Sequence, residues 1–344
     1  MQQGSAMPDG STIHQPVLQV EDLTVRFRRR GNEVRAVNGV SFSLARGETL
    51  TILGESGSGK SVSLKALLRL LPGYAETVGE VRLNGQEILS LPPASFAKLR
   101  GGEISMIFQE PMSALDPVYT IGRQIAETIV QHEGVSRRTA RARALELLER
   151  VKIPSAARRL ENYPHEMSGG MRQRAMIALA LACSPSVLLA DEPTTALDVT
   201  VQIQILLLLR QLQRELGMAI VFVTHDVGAA AEISDRIAVM YAGRFVETGT
   251  AREIIRSPQH PYTMGLLAST VHGGLRGSKL EAIPGSPPNL VSLPPGCAFA
   301  PRCGYAIDAC VQGEIPVTTS PTGGMVRCLR ASVVAGSQPQ EVNA

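Results

Sequence analysis

The chain has 344 residues, 44% of them hydrophobic, with a formal net charge of +3 and five cysteines. That length suits one large domain or two smaller ones, and the composition is that of an ordinary globular protein. The near-neutral balance, with no long basic run, argues against nucleic acid as the main partner. No apolar stretch reaches the roughly 18 residues that span a bilayer; Ala175–Cys183 and Ile205–Leu209 are shorter and end at polar or charged residues.

Residues 1–16 are rich in Gln, Gly and Ser, lack an apolar core, and read as a disordered leader without signal-peptide character. The expectation is a cytosolic chain that meets a membrane only through partners, with cysteines serving as thiols or metal ligands instead of disulfides. Residues 17–256 read as one α/β domain. Leu18–Val20, Leu23–Phe27 and Val40–Leu44 alternate as strands do, and Thr49–Leu53 is a short apolar strand. A helix is expected from Lys60 to about Leu71, stopped by Pro72-Gly73, then a strand Glu80–Leu83 closed by the turn Asn84-Gly85. Ile104–Phe108 is a further strand.

From about 112 to 182 the character changes to Arg-, Glu- and Ala-rich helix, with Ile121, Ile125 and Ile129 and then Ala144, Leu147, Leu148 and Val151 at helical spacing, so this is a helical insertion. Val187–Ala190 and Ala219–Val223 are continuous apolar runs of the kind buried parallel sheets need, with the helix Val199–Leu216 between them. Ile237–Tyr241 and Arg244–Glu247 close the domain. Residues 257–330 are Pro-rich, hold four of the five cysteines and form a separate appendage; 331–344 are polar and expected to be flexible. No internal repeat occurs, so one nucleotide unit per chain is expected.

Gly54-Glu55-Ser56-Gly57-Ser58-Gly59-Lys60-Ser61 follows an apolar strand and opens a helix, the context a P-loop requires. The glycines let successive N–H groups face phosphates, and the helix N-terminus adds a favourable field. Lys60 is placed to reach the β- and γ-phosphates of a bound triphosphate, with the Ser61 hydroxyl on Mg²⁺. Asp191 and Glu192 end the strand Val187–Ala190. Alternation along a strand sends them to opposite faces, so that Asp191 addresses the Mg²⁺ shell and Glu192 the attacking water.

A second loop, Ser168-Gly169-Gly170, precedes an Arg- and Ala-rich helix about twenty residues before Asp191. With Gly54–Ser61 it resembles the signature of the ABC ATPases, and that resemblance implies a P-loop NTPase fold: a RecA-like parallel core, an antiparallel β subdomain, a helical insertion and a small Cys-containing C-terminal appendage. It further implies that Gln109 is the Q-loop glutamine on Mg²⁺, that Ala196-Leu197-Asp198 is the D-loop, and that His225 is the switch histidine on the γ-phosphate. Phe27 is its candidate for stacking on adenine, the alternative being a core strand residue. Val62 completes the expected ATP contacts. The signature departs from the usual Leu-Ser-Gly-Gly-Gln by having Met167 and Met171 at its ends, while the serine and both glycines that touch phosphate are kept.

Ile107–Met112, Asp191–Thr200, His260-Pro261-Tyr262-Thr263 and Ile283–Pro288 resemble the dipeptide/oligopeptide permease ATPases over about residues 18–330, and Val62 after the P-loop resembles the first of their two paired ATPases. The resemblance implies ATP hydrolysis coupled to peptide uptake, at the cytoplasmic face of the membrane. A second ABC ATPase subunit is implied, as a heterodimer in preference to a homodimer, with two integral membrane permease subunits and an extracytoplasmic peptide-binding protein. Nickel, glycosides or other small solutes are alternative cargoes, and a soluble ABC ATPase without a permease is the alternative class. Cys297, Cys303, Cys310 and Cys328, with gaps of five, six and seventeen residues, match the cysteine pattern of the same subfamily. Four thiolates can hold zinc or a [4Fe–4S] cluster; the absence of tight Cys-x₂₋₄-Cys pairs favours the cluster, with zinc or unliganded thiols as alternatives. Cys183 reads as a core thiol.

Overall fold

The computed structural model describes residues 15–29, 32–195, 197–269, 283–319 and 323–336. The strands among them are β1 (Leu18–Arg29), β2 (Asn32–Leu44), β3 (Thr49–Leu53), β4 (Ala75–Leu83), β5 (Gln86–Glu87) and β6 (Ile104–Ile107). They continue as β7 (Val187–Asp191), β8 (Ala219–Thr224), β9 (Arg236–Tyr241), β10 (Arg244–Thr250), β11 (Thr318–Thr319) and β12 (Met325–Val326). An antiparallel sheet has the order β2-β1-β4-β5, and a larger one the order β11-β12-β10-β9-β3-β8-β7-β6.

In the larger sheet β9, β3, β8, β7 and β6 are mutually parallel. Every residue of β3, β6, β7 and β8 is buried, which is why Val187–Ala190 and Ala219–Val223 are unbroken apolar runs. Period-two alternation sorts their side chains between two cores. Leu188 and Ala190 of β7, with Ile220 and Phe222 of β8, face the helical insertion. Val187 and Leu189, with Val221 and Val223, face the antiparallel sheet. The insertion packs Ile121, Ile125 and Ile129 of the helix Ile121–Glu133 against Ala140, Ala144 and Leu148 of Arg137–Arg150.

Several local departures have physical causes. The break in alternation between Val20 and Leu23 lies within one strand, where the register shifts and Asp22 adopts φ +51°. The helix after the P-loop spans Lys60–Leu67, shorter than expected. Leu70 N–H reaches back to Lys65 O and Arg69 takes φ +52°, a Schellman stop well before Pro72.

The cysteine-bearing region is an appendage joined to the core, where a separate one was expected. β12 pairs antiparallel with β10 and β11 with β12, extending the sheet. Tyr262, Leu266 and Phe299 share a core with Val239 and Tyr241. The tail, expected to be flexible from 331, begins as the helix Ala331–Gly336, because Val334 has an apolar site to fill and is fully buried. Residues 1–14 of the expected leader, Ala196 of the expected D-loop and residues 337–344 lie outside the described residues.

Candidate functional site: a phosphate-loop cavity

Strand β3 lies between β8 and β9, so its C-terminal end opens at the middle of the sheet. The loop that follows is shaped by close backbone approach. A Cβ on Gly54 would sit 2.3 Å from Met240 O, and one on Gly59, where φ is +107°, 2.3 Å from Ala36 O. No other residue type fits either place. Ser58 is buried, and its carbonyl accepts the Gly243 N–H.

The loop rims a cavity of about 740 Å³. Glu55, Ser56, Gly57, Gly59, Lys60, Ser61 and Val62 line it, together with Gln109, Glu192 and His225 from three other strand ends. Lys60 is buried, and its Nζ donates to Gly54 O at 2.7 Å and Glu55 O at 2.9 Å. Burial pushes its pKa down, opposed by the charges of Glu192 and Asp191. The ammonium is thus held by loop carbonyls that an incoming triphosphate can replace. Ser61 Oγ donates to Asp191 Oδ1 at 2.6 Å; burial raises the Asp191 pKa, against the pull of that hydrogen bond. A hydroxyl and a carboxylate in contact, with the Gln109 amide on the same cavity, are the hard oxygen donors that Mg²⁺ selects, so the donor set fits that ion.

Glu192 is separated from Asp191 by more than strand alternation. β7 ends at Asp191, and Glu192 leaves it with φ +46°, a left-handed backbone unusual for a non-glycine residue. Its N–H is anchored on Val223 O at 2.9 Å. The turned side chain gathers a small network. Gln109 Nε2 donates to Glu192 Oε2 at 3.1 Å, the Thr195 hydroxyl donates to the same oxygen at 2.9 Å, and His225 Nδ1 lies 3.1 Å from Oε1. Thr195 was not anticipated from sequence; its signal was a hydroxyl three residues beyond the acid. Arg302, which holds Glu55 by a bidentate ion pair at 2.7 and 3.0 Å, carried no local signal.

Other expected residues lie elsewhere. Phe27 forms a tilted ring pair with Tyr74, centroids 6.0 Å apart, and is not part of the cavity wall. The second loop is likewise not part of this chain's cavity wall. Ser168 and Gly169 are exposed, and Ser168 Oγ caps the helix Gly169–Ala180 by accepting the Met171 N–H. A Cβ on Gly170 would meet Val201 Cγ1 at 3.0 Å, within the first turn of the helix Val199–Leu216, which Asp198 caps by accepting the Val201 N–H. Gly170 and Asp198 thus both adjoin Val201.

Cys297, Cys303, Cys310 and Cys328 line one small cavity beside His260. Burial raises the pKa of Cys297, Cys303 and Cys328. The expected metal centre is not assembled as such: among the described residues no group of three or more His, Cys, Asp or Glu is set to hold a metal ion. Cys183 is half-buried beside the helical core, its thiol directed at Thr128 O.

A phosphate loop after β3, a histidine after the neighbouring β8 and an acid pair at the end of β7, all on the parallel part of one sheet, define an ATP-binding cassette. The family model for ABC transporters matches residues 37–195, and that for the C-terminal region of oligopeptide/dipeptide transporters matches 246–310. The chain belongs to the ABC transporter ATPase family, in the branch that carries the oligopeptide/dipeptide C-terminal region. A putative peptide import ATP-binding protein of Brucella abortus is 50% identical over 335 residues, 93% of this chain and 99% of the relative. The oligopeptide transport ATP-binding protein OppD of Bacillus subtilis is 50% identical over 305 residues, 88% of this chain and 85% of the relative. An ATP-binding cassette solved as a dimer in a post-hydrolysis state with ADP and Pi superimposes with a TM-score of 0.61 at 30% identity, over 68% of this chain and 99% of that one.

Proposed function

We propose that this chain is the ATP-hydrolysing subunit of an importer of dipeptides and oligopeptides. The carrying observation is that Lys60, Ser61, Gln109, Glu192 and His225 line one cavity beside Asp191, hydrogen-bonded to Ser61; the names of the relatives supply the cargo class.

Lys60 exchanges its contacts with Gly54 O and Glu55 O for β- and γ-phosphate oxygens, and the loop amides with the helix N-terminus hold the remaining phosphate charge. Ser61, Asp191 and Gln109 are the residues that would hold Mg²⁺, which when bound neutralises charge on the β- and γ-phosphate oxygens. Glu192 accepts a proton from the water whose oxygen attacks the γ-phosphorus, and the bond to the β–γ bridging oxygen breaks to leave ADP and phosphate. Thr195 and Gln109 fix the carboxylate that does this, and His225 holds its other oxygen until a γ-phosphate competes for the ring.

Ser168–Gly170 and Asp198 lie away from this cavity and serve the ATP of a second ATPase subunit, a heterodimer partner in preference to another copy. The pair drives two permease subunits from the cytoplasmic face, with an extracytoplasmic binding protein delivering cargo. No helix among the described residues is long and apolar enough to cross a membrane, which suits a peripheral subunit. A structural [4Fe–4S] cluster on Cys297, Cys303, Cys310 and Cys328 is proposed on their sequence spacing alone, since no group of three or more ligands among the described residues is set to hold a metal ion; anaerobically purified protein without iron and acid-labile sulfide would remove it.

Glu192→Gln is expected to bind ATP normally and lose turnover by at least about 100-fold, in the range lost with a general base. Hydrolysis at the native rate in that variant would overturn the assignment.

A further inference from the structure

Glu55 brings a negative charge into a loop whose task is to receive a triphosphate, and the structure shows how that charge is managed. Arg302, from the cysteine-bearing region, reaches it with a bidentate fork: Nη1 to Oε2 at 2.7 Å and Nη2 to Oε1 at 3.0 Å. The guanidinium is itself fixed. Nε donates to Pro284 O at 2.8 Å, Nη1 also donates to the Tyr241 hydroxyl at 3.2 Å, and the side chain is 5% exposed against 26% for Glu55. The guanidinium carbon lies 5.8 Å from the ring centroid of Tyr241 and 5.7 Å from that of Phe299.

A second tie runs to the same loop residue. The Glu55 N–H donates to the hydroxyl of Tyr262 at 2.8 Å, and Tyr262 is fully buried in the same aromatic group. Leu266, Ser269, Ile283 and Leu290, also C-terminal, line the same cavity. A bidentate Arg–carboxylate pair fixes orientation as well as charge.

We infer that Arg302 is a positioning residue of the ATP site, which neutralises and orients Glu55 so that the triphosphate meets loop amides and Lys60 without an opposing carboxylate. The C-terminal region is thereby a wall of the nucleotide site and not only an appended body. This rests on reading Gly54–Ser61 as the phosphate loop, and the controls separate the two.

The test is ATP affinity of the full-length chain with Mg²⁺, followed with a fluorescent ATP analogue, beside steady-state hydrolysis. Arg302→Met is expected to raise the Kd and KM for ATP about tenfold, the order expected for one uncompensated charge near a triphosphate in partly screened surroundings. Its kcat should change by less than about threefold, and the loss should shrink at high salt. Glu55→Gln in the Arg302→Met background should restore affinity to within about threefold of the native chain, because the opposing charge is then gone. A merely structural arginine would not be rescued in this way.

Native-like affinity in Arg302→Met, or a double variant as weak as the single, overturns the inference. If Arg302→Met does not fold, Glu55→Gln alone decides: unchanged or tighter ATP binding supports the charge argument, and a tenfold loss overturns it. Lys60→Ala is the control on the underlying reading; if it binds ATP normally, the phosphate-loop assignment fails, whatever Arg302 does.

Discussion

His260 caps the helix Pro261–Ala268 with its own ring: Nδ1 accepts the Tyr262 N–H at 3.0 Å, while Nε2 is buried with no hydrogen-bond partner among the described residues. Burial depresses its pKa to about 3. An unfolded histidine titrates near 6.5, so the unfolded chain takes up a proton that the folded chain refuses. The resulting stability is complete above about pH 6.5 and is lost as the pH falls towards 3. At pH 5 the loss amounts to about 2 kcal/mol. His260→Asn keeps a capping acceptor and removes the titration, and urea denaturation at pH 7 and pH 5 should show a pH dependence smaller by about that amount. Equal pH dependence in the two chains would refute the assignment. The same scale shows what could be read early. Lys60, Ser61, Asp191 and Glu192 were legible because the chemistry sits in consecutive residues flanked by apolar strands. The left-handed turn at Glu192 was not, since nothing in Ala190-Asp191-Glu192-Pro193 demands φ +46° until Val223 O claims its N–H.

Among elements, the helix Ala251–Arg256 is six residues long and depends on its start. Thr250 Oγ1 accepts the Glu253 N–H, and Glu253 Oε2 accepts the Thr250 N–H, a capping box. Thr250→Ala is expected to cost about 1 kcal/mol of stability, read from the denaturation midpoint at constant slope; a change below about 0.3 kcal/mol would show that tertiary packing of Ile254 holds the helix without the cap. The long elements were visible in the sequence because their burial imposes a period. β7 and β8 are buried on both faces and read as apolar runs, and Ile121, Ile125 and Ile129 trace one helix face. Elements set by backbone or by distant partners were not. The helix after the P-loop ends in a Schellman turn at Arg69, a residue that gives no warning of left-handed backbone. Strands β11 and β12 are two residues each, too short to show alternation.

At the scale of the whole molecule, the two glycine-rich loops do not line one cavity. Ser168 is exposed and outside the cavity, while Lys60 and Ser61 line it. On the reading that Ser168–Gly170 completes a partner's site, hydrolysis per molecule by the isolated subunit should rise steeply with protein concentration. A specific activity constant from nanomolar to micromolar would show a site complete in one chain. The overall α/β architecture was legible from the order of apolar runs and the helical insertion. The place of the C-terminal region was not, because its attachment runs through β12 on β10, Tyr262 on Glu55 and Arg302 on Glu55, contacts between residues far apart in sequence.

The last of those contacts also sets a clock. Glu55 and Arg302 are 247 residues apart, and translation at roughly 5–20 residues per second places them about 12–50 s apart in synthesis. The phosphate loop therefore leaves the ribosome long before the arginine that balances its carboxylate exists. On the inference that Arg302 neutralises Glu55, the nascent cassette presents that carboxylate unpaired during this interval, and full affinity for ATP is expected only after the C-terminal region has emerged and docked.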